Sequence, residues 1–188
     1  MAAKTNTAAA KSEAAQDAAE VESKPVAAKT TQKPKPLKAV AVDIHQFIPV
    51  RNGFQGALIY VSKRTGEEFV WDNFGDEQEM ELQELKNAKS SNKGFFERNW
   101  FMFDDEYQWV IDYLGIGAFY KNALKLEEFD EVFEKSPEEI MEIVPGLSDG
   151  QKASLIYRAR QLISEGGIDS NKAIAALEES LGTKLVEK

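Results

Sequence analysis

The chain has 188 residues, 43% hydrophobic and 10% aromatic, with 23 basic and 32 acidic side chains and a formal net charge of −9. It has no cysteine and a single histidine, His45, which excludes disulfides, thiolate metal centres and cysteine nucleophiles and leaves zinc without its usual ligands. No apolar run reaches the length of a membrane span, and the Lys- and Ala-containing N-terminus lacks the hydrophobic segment of a secretory signal.

Residues 1–36 contain no aromatic side chain, and Val21 and Val26 are their only sizeable aliphatics. So little apolar area cannot offset the entropy of ordering a backbone, and an arm over 1–37 is predicted to be disordered. Residues 8–22 are alanine-rich enough for transient helix, and Pro34 and Pro36 favour an extended linker after them. Charge divides near the same place. Residues 1–38 carry seven Lys against four acids, net +3, while the rest carries 16 basic and 28 acidic groups, net −12. Lys29, Lys33, Lys35 and Lys38 form the basic end of the arm and are its expected contact residues. They serve either a solvated tether or a contact with acidic partners, non-specific nucleic acid among them.

A β-rich domain over 38–125 is expected next. Val40, Val42 and Ile44 alternate with Ala41 and Asp43 at the period of a strand. GALIYVS and EEFVW flank Lys63-Arg64-Thr65-Gly66, a hairpin signal, with Phe69 and Trp71 on one face and Val70 on the other. Residues 72–76 read as a turn, Met80 and Leu82 as a short strand before a helical ELKNAK, and Asn99–Phe103 as a buried strand. A helix capped by Asp104 or Asp105 is predicted to run to Leu114 and stop at Gly115 or Gly117.

Residues 126–188 are predicted to form a helical module. Apolar spacing over 118–134 suggests helix with a break near Leu126. Ser136-Pro137-Glu138-Glu139 and Ser148-Asp149-Gly150-Gln151 read as capping boxes opening two helices. The second helix carries Leu155, Ile156, Ala159, Leu162 and Ile163 on one stripe and stops at Gly166-Gly167. A last helix, capped by Asp169 or Ser170, ends before Gly182. The fold class is therefore α+β: a small, mostly antiparallel sheet or partial barrel, then helices, preceded by the arm.

Few residues point to chemistry. His45 reads as an exposed or hydrogen-bonded strand residue. Asp72, Asp76, Glu77 and Glu79 resemble the start of a calcium loop, but Phe74, Glu77 and Gln83 occupy the third, sixth and twelfth positions, where ligands and a glycine are required. Asp104-Asp105-Glu106 fits a helix start, where acids suit the dipole. No nucleophile elbow, phosphate loop or dinucleotide fingerprint occurs. Lys152, Arg158 and Arg160 could mimic a DNA-reading helix, but residues 126–188 hold seven basic against 14 acidic groups, a field that repels phosphate. The densest feature is aromatic. Phe96, Trp100, Phe103, Tyr107 and Trp109 are read either as a shared core or as candidate interface residues.

YVSKRTGEEFVW, MELQELKNAKSSNKGFFERNWFMF and the ending GGIDSNKAIAALEESLG resemble small structural proteins, virion or head-tail components, of tailed bacteriophages. The resemblance spans residues 55–182 and transfers no functional residue. It implies a virion or assembly component without enzymatic activity, working through protein–protein contacts in many copies. Separately, the expected setting is a virion or the cytoplasm of a bacterial host, with no cofactor and no membrane. The alternative is a cytosolic regulator or nucleic-acid accessory protein using the basic arm.

Overall fold

The structure, a computed structural model, describes residues 42–186. The arm, including Lys29, Lys33, Lys35 and Lys38, lies outside the described residues. Among the described residues, five strands form two antiparallel sheets. β1 (Phe47–Asn52) lies between β4 (Glu77–Glu81) and β5 (Phe101–Met102), while β2 (Leu58–Val61) pairs with β3 (Glu68–Trp71).

Residues 40 and 41 of the alternation at Val40–Ile44 lie outside the described residues, and residues 42 to 46 form no strand. Residues 44 and 45 form a turn, and β1 pairs with β4 from Phe47↔Glu81 to Arg51↔Glu77. Pro49 fits this strand because of direction. Asn52 donates its N–H to Asp76 and Gly53 to Trp100, so the nitrogens of odd-numbered residues point toward β5. β5 pairs only with Arg51 and Asn52, so the proline nitrogen faces no strand partner.

The hairpin closes where the sequence places it. Gly66, at φ 76°, donates to Ser62 O while Ser62 donates to Glu67 O, so Gly66 and Glu67 together oppose Ser62. This is a bulge whose first residue needs the left-handed conformation that glycine adopts without strain. The Gln78 amide donates to Val70 O at 2.9 Å and bridges the two sheets.

Seven helices follow among the described residues. α1 (Leu82–Ser91) and α2 (Gly94–Glu97) precede β5; α3 (Gln108–Leu114) and α4 (Gly117–Tyr120) follow it. α5 (Pro137–Ile143), α6 (Asp149–Glu165) and α7 (Asn171–Leu181) complete the chain. The stops at Gly115, Gly166 and Gly182 fall as predicted, each glycine at positive φ. The helix expected over 118–134 is mostly absent. Only the four residues of α4 and a 3-10 turn at Asp130–Glu134 are helical, because this segment is held by side chains from elsewhere.

Two apolar cores result. The first packs Ile48, Val50, Tyr60, Trp71, Leu85 and Phe101 between the sheets and the early helices. The second packs Phe129, Val132, Ile140, Leu155, Ala159 and Leu177. A polar seam joins them at the start of α6. Ser148 Oγ donates to Arg98 O, and Ser154 Oγ donates to Gly53 O while accepting from Gln55 N–H. Gly150 lies so close that a Cβ there would sit 2.1 Å from Arg98 O, so only glycine fits. The Gln151 amide clasps Leu124, donating to its carbonyl at 2.8 Å and accepting from its N–H at 3.1 Å.

That clasp changes one cap. At Ser136 the full capping box forms, with the Ser hydroxyl and the Glu139 carboxylate each reaching the other's backbone N–H. Ser148 accepts from Gln151 N–H, but the Gln151 side chain turns to Leu124 instead of back to the cap.

Candidate interaction surface

The aromatic run divides between core and surface. Phe96 is fully buried, its ring edge-on to Phe101 at 5.4 Å, and belongs to the core rather than to the expected contact surface. Trp100 is half-buried between Phe54 and Phe95, with the Arg98 guanidinium 4.9 Å from its ring centroid. Phe103 is half-buried against Tyr120, whose phenol is pushed well above its usual pKa by burial and donates to Phe101 O. Trp109 packs partly against the first core. Tyr107 is half-buried in an acidic field. Desolvation, then the carboxylates of Glu106, Glu77, Asp104 and Glu79, hold its hydroxyl above the usual value. The five residues are therefore mainly packing residues; Trp100, Phe103, Tyr107 and Trp109 keep part of their surface.

A cleft of about 360 Å³ lies beside the seam, lined by Met102, Phe103, Asp104, Asp105, Lys125 and Glu127 among others. Ion pairs engage three of its four acids, Asp104, Asp105 and Glu127. Arg51 binds Asp104 at 3.0 Å and Glu127 at 2.5 Å, and Lys125 binds Asp105 at 2.7 Å. A backbone hydrogen bond and the Arg51 contact draw the Glu127 carboxyl below its usual value. These pairs anchor the segment that the sequence assigned to a helix.

The remaining candidates fall into structural roles. His45 is exposed, with Nδ1 3.7 Å from Glu81. Asp76 accepts from the N–H of Asn73 and ties the turn before β4. No group of three or more His, Cys, Asp or Glu among the described residues is arranged to hold a metal ion, and none of their helices is long and apolar enough to cross a membrane. The cations once aligned with DNA reading are engaged: Arg158 forks onto Asp130, Lys152 donates to Pro145 O, and Arg160 donates to Lys184 O.

The surface that stands out lies on the hairpin. Ile59 is 56% exposed, Val61 48% and Val70 39%. Ile59 and Val70 are directly paired across the strands and Val61 follows on the same face, so the three form one apolar patch. Its inner counterpart, Leu58, Tyr60 and Trp71, is buried. The sequence carried the signal in Leu58-Ile59-Tyr60-Val61, where apolar residues occupy both faces of a strand that has only one core to face. Compared with family models, with curated proteins and with solved structures, the chain matches none.

Proposed function

We propose that this protein is a structural subunit acting through protein–protein contacts, a virion or head-tail component of a tailed bacteriophage. The observation that carries the reading is the exposed Ile59–Val61–Val70 face, an apolar surface on a domain that already has two filled cores. The phage setting rests on the sequence resemblance alone. The acidic field around Tyr107 favours neighbours with basic surfaces. Mass spectrometry of gradient-purified particles tests the reading: the chain is expected at a fixed copy number per particle, and its absence from particles defeats the proposal.

The basic arm favours a second reading, a nucleic-acid accessory protein. Residues 1–38 carry seven lysines against four acids, opposite in sign to the net −12 of the rest of the chain. Salt-dependent DNA binding that disappears when residues 1–37 are deleted supports this alternative; binding that is absent or unchanged by the deletion removes it.

A further inference from the structure

The asparagine that ends β1 and the glycine after it are both dictated by packing. Asn52 is fully buried, and all its polar groups are engaged. Its side-chain amide donates to Gly56 O and to Asn73 O, each at 2.8 Å, and its Oδ1 accepts from the N–H of Phe54 at 2.8 Å. Its backbone N–H donates to Asp76 O and its carbonyl accepts from Gly75 N–H. Two donors on one atom beside one acceptor are what a primary amide supplies. Gly53 is equally fixed, because a Cβ there would lie 2.1 Å from Asn99 O.

These two requirements place an Asn-Gly dipeptide in the chain at this one position, and Asn-Gly is chemically labile. No side chain on the glycine obstructs its nitrogen, which can attack the asparagine Cγ. The new N–C bond closes a succinimide ring, the Cγ–Nδ2 bond breaks, and ammonia leaves with the proton given up by the glycine nitrogen. Water then adds to one ring carbonyl or the other and leaves aspartate or isoaspartate.

We propose that Asn52-Gly53 is a self-modification site closed by the native fold and opened by unfolding, whose deamidation makes loss of the fold irreversible. In the native body the attacking nitrogen keeps its proton in a bond to Trp100 O at 2.8 Å. Cγ cannot turn toward it without breaking three buried hydrogen bonds. The product cannot resume this place. An aspartate sets an acceptor oxygen where Nδ2 stood, against the carbonyls of Gly56 and Asn73. Isoaspartate adds a methylene to the main chain just before Gly53, displacing the carbonyl that receives Ser154 and so opening the joint between the two cores. The folded chain is protected, and a chain that lingers unfolded is retired by its own chemistry. This holds whatever surface the body docks on.

The full-length chain, held in mildly alkaline buffer with and without guanidinium chloride, is digested with trypsin at intervals. Cleavage after Arg51 and Lys63 isolates Asn52 as the sole asparagine of its peptide, and mass spectrometry reads the conversion of amide to acid. Conversion is expected in denaturant and at a rate lower by about 10³-fold or more without it, since reaction waits on opening. A partly converted sample is then refolded by dilution and separated by size-exclusion chromatography. The folded fraction is expected to retain Asn52, and the unfolded fraction to hold the converted chains. Similar rates in the two buffers, no conversion in denaturant, or converted chains shared evenly between the fractions overturns the proposal.

Discussion

Glu84 sits in the interior, 2% exposed, at the first turn of α1. Its carboxylate accepts from Tyr60 OH at 2.7 Å, from Asn87 at 3.0 Å and from Arg64 Nε at 3.2 Å. Burial alone would push this carboxyl up, but the hydrogen bonds from Tyr60, Asn87, Ser62 and Arg64 outweigh it and leave it below the ordinary value of 4.5. Burial and the same contact raise the Tyr60 phenol. A carboxylate whose folded pKa is depressed adds stability above its unfolded pKa, and that stability is lost as pH falls through the folded pKa. Glu84→Ala is therefore expected to lower stability by about 2–3 kcal/mol near neutral pH, since a charged acceptor is lost and two buried donors are orphaned. The deficit should shrink as the medium is acidified below the carboxylate range; denaturant melts at a series of pH values check both. Nothing in the sequence marked this residue, because one glutamate among 32 acids gains its role only when a hairpin 20 residues upstream folds onto its helix. Asn99 was equally illegible. It is fully buried at φ 53° between α2 and β5, a conformation asparagine tolerates better than most residues, and it donates to Phe119 O.

Among the elements, those whose ends are local chemistry were legible. α5, α6 and α7 begin at Ser136, Ser148 and Ser170, and the hairpin turns before Gly66, because a cap or a turn is decided by a few adjacent residues. Elements decided by distant partners were not. The apolar spacing over 118–134 suggested a helix, but Gln151 takes the backbone of Leu124, Arg51 takes Glu127 and Arg158 takes Asp130. These ties bend the segment into turns. Gln151→Ala is expected to cost about 2 kcal/mol, because it leaves both backbone groups of Leu124 without partners. The equally placed Glu139→Ala removes only half of an exposed cap and should shift the thermal midpoint less. Comparing the two melting temperatures tests whether the seam, rather than the cap, is the stabilising contact at this polar position.

For the whole molecule, the seam decides whether two cores behave as one. Trp71, Trp100 and Trp109 all belong to the first core or its edge, so their fluorescence reports that core, whereas far-UV circular dichroism is weighted toward the helices of the second. Coincident transitions are expected for the native chain. Gly150→Ala drives a methyl into Arg98 O, a strain of about 1–3 kcal/mol placed on the joint itself, and is expected to separate the two curves. Coincidence in the variant would show that the cores are coupled through other contacts. The sequence showed α+β order and the acidic body. It could not show the seam, whose partners lie about 100 positions apart at Gly53 and Ser154.

The same seam sets an order of assembly during synthesis. Gly53, Arg98 and Leu124 leave the ribosome well before Ser148, Gln151 and Ser154, which must reach back to them. The contacts of the polar joint can form only after the start of α6 has emerged. A translation stop before residue 148 therefore leaves the carbonyls of Gly53, Arg98 and Leu124 without the partners that α6 and its cap supply.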